Sequence, residues 1–118
     1  MTKNNLQPKP DPDQELIQQV ATRHKVETVF QLKIPTNDEG TEHAVGYIKK
    51  PSRAVMGAAM SVMGKNPLKA NEIILTSCWL EGDDRILKDD DLFLSAGQLL
   101  GDVIQVRQGE IKKNLTNG

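Results

Sequence analysis

Three side chains in this sequence could carry nucleophilic or imidazole chemistry, namely Cys78, His24 and His43. Cys78 lies between Ile74 and Leu80 in an apolar helical pattern, where burial makes a thiol unreactive. His24 ends a polar-faced helix, and His43 begins a strand. The chain has no Gly-Ser elbow, paired-cysteine motif, phosphate loop or dinucleotide fingerprint. We therefore expect neither an enzyme nor a cofactor.

Carboxylates are concentrated in residues 81–91, which read EGDDRILKDDD. Clustered carboxylates can bind Ca²⁺, or Mg²⁺ together with a phosphate. The calcium-loop pattern needs oxygens at alternate positions, a central Gly and a terminal Glu, and this stretch lacks that order. Helix capping is the simpler explanation: Asp83 and Asp84 lie in a loop, and one of Asp89, Asp90 and Asp91 caps the next helix. No metal site is predicted.

Methionines follow one side of the helix predicted after Ser52. Val55, Ala58, Ala59 and Val62 form one apolar stripe; Met56, Met60 and Met63, here called the Met stripe, form a second one about 100° away. Methionine is flexible and recurs on surfaces that accept several partners. The Met stripe could therefore bind a partner helix. Alternatively, the helix is central and buried on both sides, which is the more common situation for methionines on helices.

Lys49, Lys50 and Arg53 form a basic group around the start of this helix. They could contact a phosphate at the helix N-terminus. Alternatively, they are solvent-exposed residues at the end of the preceding hairpin, or they border a binding face. The chain has 15 Lys and Arg against 16 Asp and Glu, so it lacks the basic excess of a nucleic-acid-binding protein. The composition therefore argues against nucleic-acid binding.

The composition predicts one small intracellular domain. A single cysteine in 118 residues excludes an internal disulfide and fits a reducing cytosol. No stretch approaches the roughly 18 apolar residues of a membrane span, and the first residues do not resemble a secretory signal. We expect a disordered lead-in over residues 1–12, one domain over 13–108, a flexible tail over 109–118, and a cytoplasmic location.

Within that domain the spacing of apolar residues predicts an α+β fold. A helix over residues 13–25 precedes a β-hairpin, whose strands cover residues 26–34 and 42–49 around the turn TNDEG. Three helices follow, over residues 52–63, 66–80 and 89–104, and Gly82 suits the end of the second. Trp79 is then the main packing anchor, in the turn between two helices, and joins its helix to the hairpin or to the last helix.

Three segments of this sequence resemble the small tail assembly chaperone proteins of tailed bacteriophages and prophages. They read GYIKKPSRAVMGAAM, NPLKANEIILTSCWLEGDDRI and DDDLFLSAGQLL. The shared pattern is a strand ending in a basic residue, Pro, Ser or Asp, and Arg; a helix rich in Ala and Met; a helix ending in Cys-Trp-Leu followed by Gly and Asp; and an Asp-capped final helix. The resemblance covers about residues 26–113.

The resemblance implies a non-enzymatic role in the host bacterial cytoplasm. Such chaperones bind the long, helical tape measure protein while the tail tube polymerises, and they leave before the virion matures. Repeated apolar helix faces of that client would self-associate if uncovered. Three alternatives stay open: a structural virion component such as a connector or tail accessory protein that pairs with its own copies, a small nucleic-acid-binding regulator using Lys49, Lys50 and Arg53, and a metal-dependent enzyme using the acidic stretch.

Overall fold

Side-chain caps begin the first two long helices. In the computed structural model, which describes residues 11–103 and 109–114, Asp11 accepts a hydrogen bond of 2.9 Å from the backbone N–H of Asp13 at the start of α1 (Pro12–His24). Ser52 does the same for Val55, at 3.2 Å, at the start of α2 (Arg53–Met63). Each cap satisfies a backbone donor that lacks a partner within its helix.

The two later long helices begin in the same way. Asn66 accepts a hydrogen bond from the backbone N–H of Lys69 at 3.1 Å and caps α3 (Pro67–Cys78). Asp89 accepts one from the backbone N–H of Leu92 at 3.0 Å, just before α5 (Asp90–Val103). Of the three predicted candidates, Asp89 is therefore the cap.

The predicted hairpin is present as β1 (Val29–Pro35) and β2 (His43–Lys49), which pair antiparallel. The side chain of Asn37 accepts hydrogen bonds from the backbone N–H groups of Thr41 and Glu42, which closes the turn. β1 does not include residues 26–28, which were predicted to belong to it. Lys25 ends α1 in a left-handed backbone conformation, with a φ of 56°, and residues 26–28 connect it to the start of β1.

The helix predicted to run to Leu80 ends at Cys78, and that part of the sequence prediction is wrong. Trp79–Gly82 instead forms β3, which pairs antiparallel with β2 and gives the sheet order β1-β2-β3. Trp79 therefore lies in a strand, and Gly82 is not a helix end. Gly82 has a φ of 133°, and a Cβ there would lie 2.6 Å from the Gly46 Cα. Only glycine allows the two strands to approach so closely.

A short helix, α4 (Arg85–Lys88), lies between the second and third of the helices predicted after the hairpin, in residues for which no element was predicted. Its Ile86 side chain is fully buried, which fixes this single turn to the core. The described part of the chain thus has five helices and a three-stranded antiparallel sheet. The predicted α+β class is confirmed, with one more helix and one more strand than expected.

The sheet is covered on both faces. On one face, the main core joins Leu32, Ile34 and Ile48 of the hairpin to buried side chains of α2 to α5. On the other face, α1 packs with Val20 and Ala21 against the side that carries Tyr47. The sheet therefore separates a large core from a small one, and α2 lies at the margin of the large core.

The predicted ends of the domain are only partly within the described residues. Residues 1–10 of the lead-in, residues 104–108 and residues 115–118 lie outside them, and so does Ile104, which the sequence placed on the last helix. Pro12 is the first residue of α1, and residues 109–114 form neither helix nor strand. None of the described helices is long and apolar enough to cross a membrane.

Candidate partner-binding surface

Within the described residues, α2 is packed against the rest of the fold on one side. Among the described elements, α3 is the only one against which it packs extensively. Val55, Ala59 and Val62 face the core, and Ala59 is the one residue of α2 that is buried. The remaining circumference of α2 is not covered by other described residues.

The Met stripe lies largely on this uncovered side. Met60 is 68% exposed and Met63 39% exposed, whereas Met56 is partly buried. The alternative in which α2 is buried on both sides is therefore wrong for this fold. Among the described elements, α5 packs on β1 and α3, the hairpin packs on α1 and α3, and neither packs extensively on α2. Two thioether side chains are accessible to a partner.

Exposed large apolar side chains are concentrated next to the Met stripe. Three of the six in the described residues, Met60, Met63 and Leu68, lie within nine positions around the turn between α2 and α3. The other three lie singly elsewhere and are ordinary surface residues. A cluster of this kind is typical of an interaction surface.

The exposed side of α2 also lacks charge. No Asp, Glu, Lys or Arg occurs between Ala54 and Gly64, and Ala54, Gly57, Ala58 and Ser61 are all exposed. A Cβ placed on Gly57 would meet nothing within 4 Å. Surface helices normally carry charged residues on their outer side. A face of small residues and methionines lets another helix backbone approach closely.

Basic residues flank this uncharged face. Three exposed basic residues lie just before or at the start of α2: Lys49, Lys50 and Arg53. Two more lie after its end, Lys65 and Lys69, and both are exposed. The structure thus places the predicted basic group at one end of the Met stripe. Lys65, Lys69 and Leu68 were missed by the sequence reasoning, although their position just after the Met-rich helix was a usable signal.

Trp79 lies on the sheet and away from this surface. It pairs with Ile48 of β2 and is packed, partly buried, against the main core. A Cβ built on Gly46 would lie 2.4 Å from Cη2 of the Trp79 ring, so the ring lies directly over that glycine. Trp79 thus connects the end of α3 to the hairpin.

The carboxylates of the acidic stretch, residues 81–91, have different structural roles. Arg85 donates to both carboxylate oxygens of Asp83, at 2.7 to 3.1 Å, and this contact holds the pKa of Asp83 below its usual value. Asp89 caps α5. In residues 11–103 and 109–114, no three His, Cys, Asp or Glu side chains come together as a metal site would require.

An open cleft of about 350 Å³ lies between the hairpin turn and the start of α5. Its walls include Asp38, Asp89 and Asp91, with Arg85 as the basic side chain. Arg85 already pairs with Asp83, which turns its guanidinium to that partner. The cleft is therefore lined mainly by polar and acidic side chains, and its arginine is engaged with Asp83.

The remaining reactive side chains are separated from one another. Cys78 is fully buried, and burial raises the pKa of its thiol. His43 is exposed at the start of β2. His24 lies at the end of α1, where its Nε2 is 2.8 Å from a carboxylate oxygen of Glu81. The sequence reasoning singled out these three residues, and the described fold does not bring them together.

Glu81 forms a polar link between α1 and β3 that sequence spacing did not indicate. Its two carboxylate oxygens accept hydrogen bonds of 2.9 and 3.0 Å from the guanidinium of Arg23, in addition to the contact with His24. The hydrogen bond from Arg23 is the main cause that lowers the pKa of Glu81 from its ordinary value of 4.5, and the contact with His24 adds to it. Ionised Glu81 therefore attaches the C-terminal end of α1 to the sheet.

This link makes part of the folding stability depend on pH. Because the pKa of Glu81 is lower in the folded than in the unfolded chain, its contribution is complete above pH 4.5 and is lost as the pH falls through the folded-state pKa. We expect Glu81→Gln to melt at a lower temperature than the wild type at pH 7, and the difference to disappear towards pH 3. Thermal unfolding followed by circular dichroism from pH 7 to pH 3 measures this.

Glu72→Gln is the matched control, since Glu72 pairs with Lys69 in an exposed contact within α3. Exposed pairs of that kind contribute little. We expect its melting temperature to follow that of the wild type across the pH range. A gap between Glu81→Gln and the wild type that stays constant down to pH 3 would contradict the assignment.

No protein-family model, curated protein or solved structure matches the chain.

Proposed function

We propose that this protein is a non-enzymatic tail assembly chaperone that binds a helical, tape-measure-like client in the cytoplasm of a host bacterium. The observation that carries the proposal is the exposure of Met60 and Met63 on a helix that the described residues cover on one side. The resemblance of the sequence to phage tail chaperones gives the class of client.

The physical properties of the surface suit a long helical client with a repetitive sequence. Such a chain presents many similar apolar faces that self-associate in water. Methionine side chains adapt to faces of different shape, and small residues between them allow close approach of a second helix. One chaperone could therefore cover successive segments of the same client.

A structural virion component is the second candidate, and the edge of the sheet favours it. The N–H of Thr36 donates to the carbonyl of Glu42 next to the hairpin. Hydrogen-bonded and non-hydrogen-bonded positions alternate along an antiparallel pair, so the backbone N–H and C=O groups of Val29, Gln31 and Lys33 point away from β2. Within the described residues these groups have no hydrogen-bond partner. Another copy could add a strand here, although Lys33 and Pro35 are of the types that discourage such pairing.

Mass spectrometry of tails at successive stages of assembly separates the two candidates. For a chaperone, we expect the chain to co-purify with the tape measure protein from assembling tails and to be absent from mature virions. A fixed copy number in mature virions would contradict the chaperone proposal and support a structural component.

A further inference from the structure

Charge is distributed unevenly around α2. Between Glu42 and Glu72 the chain has five basic residues and no acidic one, although acidic residues outnumber basic ones by 16 to 15 overall. The five basic residues flank the uncharged face: Lys49, Lys50 and Arg53 at one end, Lys65 and Lys69 at the other. Both ends of the candidate surface are therefore positive.

Most of this positive charge is not neutralised within the described fold. Lys69 pairs with Glu72 at 2.9 Å. No carboxylate of the described residues lies within 4.0 Å of a nitrogen of Lys49, Lys50, Arg53 or Lys65. Elsewhere in the described residues, Arg23, Lys33 and Arg85 each have a carboxylate partner, whereas the exposed Lys25 and Lys88 have none. The positive charge around α2 is thus available to a ligand.

Arg53 also occupies a position that is unfavourable for its own helix. It is the first residue of α2, and the first turn of α2 has no acidic residue. The N-terminus of a helix carries a partial positive charge, so a cation there is repelled and an anion is attracted. An external carboxylate near Arg53 would interact with both the side chain and the helix end.

We propose that the client segment bound by α2 is an amphipathic helix with acidic residues at both ends of its apolar face. This inference rests on the proposed function and specifies its partner. The 11 residues of α2 span roughly 16 Å. A helix packed along α2 would bring carboxylates to both basic ends if these are separated by about 11 residues, or three turns.

A phosphate surface fits the same residues less well. Met60 and Met63, which are apolar, lie between the two basic ends. A nucleic acid bound to those ends would place its charged phosphate backbone against the two methionines. Membrane-binding helices insert bulky Trp, Phe or Leu side chains, whereas the exposed side of α2 also carries Ala54, Gly57 and Ser61. Small residues contribute little to insertion and favour contact with another helix.

Three stapled helical peptides of about 18 residues test the proposal, since 18 residues provide five turns. They share one row of leucines over three turns and differ only in their ends, which carry Glu, Gln or Lys. We expect fluorescence anisotropy with the full chain to give a dissociation constant at least about tenfold lower for the Glu-ended than for the Lys-ended peptide at low salt. The difference should decrease as salt is added.

Charge-reversal variants locate the effect. Arg53→Glu combined with Lys65→Glu should abolish or reverse the preference for the Glu-ended peptide. Its melting temperature should stay close to that of the wild type. A carboxylate at position 53 suits the first turn of α2, and one at position 65 lies between the C-terminal end of α2 and the N-terminal end of α3, where the two dipole effects oppose each other. Lys88→Glu combined with Lys113→Glu makes the same change in net charge at two exposed positions outside α2 and its flanking segments, and should leave the preference intact.

Three outcomes would overturn the inference. If the Glu-ended and Lys-ended peptides bind equally and Met60→Glu weakens both, the inferred preference for acidic ends is wrong and the proposed function stands. If no peptide binds, or Met60→Glu has no effect, the proposed function fails as well. If phosphatidylserine vesicles or duplex DNA bind and lose affinity with Arg53→Glu and Lys65→Glu while the peptides show no selectivity, the basic ends serve a phosphate surface.

Discussion

Gly46→Ala is expected to destabilise the fold by about 1–3 kcal/mol, and Gly46→Val by more, because each forces a side chain into filled space. A Cβ at this position would lie 2.4 Å from Cη2 and 2.7 Å from Cζ3 of Trp79, and 3.1 Å from Cδ1 of Ile86. The ring packs against the core and Ile86 is fully buried, so neither can move freely. Thermal unfolding should show a decrease of about 4–8 °C for each kcal/mol.

Gly101→Ala is the matched control for this substitution. Gly101 lies in α5, and a Cβ there would meet nothing within 4 Å. Alanine is favoured over glycine inside a helix by about 0.5–1 kcal/mol, so this variant should be slightly more stable than the wild type. If Gly46→Ala were as stable as Gly101→Ala, Trp79 could not lie over Gly46. Trp79→Leu should also recover part of the loss in Gly46→Ala, since it removes the contacted ring.

The parts of the fold that depend on local sequence were predictable. Ser52, Asn66 and Asp89 are cap residues whose side chains bond to the following turn, and Asn37 closes the hairpin turn. Each of these interactions spans only a few residues, so the sequence pattern contains both partners.

β3 could not be predicted in the same way. Its first two residues, Trp79 and Leu80, continue the apolar pattern of α3 and fit that helix as well as they fit a strand. The deciding interaction is the pairing of Trp79 and Glu81 with β2, more than 30 positions earlier in the chain. Tertiary pairing overrides local propensity at such short segments. The contact of Glu81 with Arg23 is equally remote in sequence.

The binding surface was predictable only in part. The sequence shows that α2 has a wider apolar arc than one neighbour needs, and it places Met56, Met60 and Met63 on that arc. It does not show which side the neighbour covers. In the structure α3 covers the side of Val55 and Val62, which leaves Met60 and Met63 exposed and Met56 partly buried.

Met60→Glu combined with Met63→Glu is expected to weaken client binding by about 30-fold or more. A carboxylate inside an apolar interface loses its hydration without gaining a partner, and losses of 2 kcal/mol or more are common at central positions. Both side chains are exposed in the free protein, so the melting temperature should stay close to that of the wild type.

The most direct test of the α2 surface is to measure, by isothermal titration calorimetry, the dissociation constant of the helical client that the proposed function expects to co-purify with the chain. The matched control is Leu16→Glu combined with Leu94→Glu, which makes the same change in charge at side chains that are 45% and 49% exposed on α1 and α5. Loss of affinity in the methionine variant, with the wild-type constant retained in the leucine variant, is the predicted result. Unchanged affinity in a folded methionine variant would contradict a client-binding role for α2.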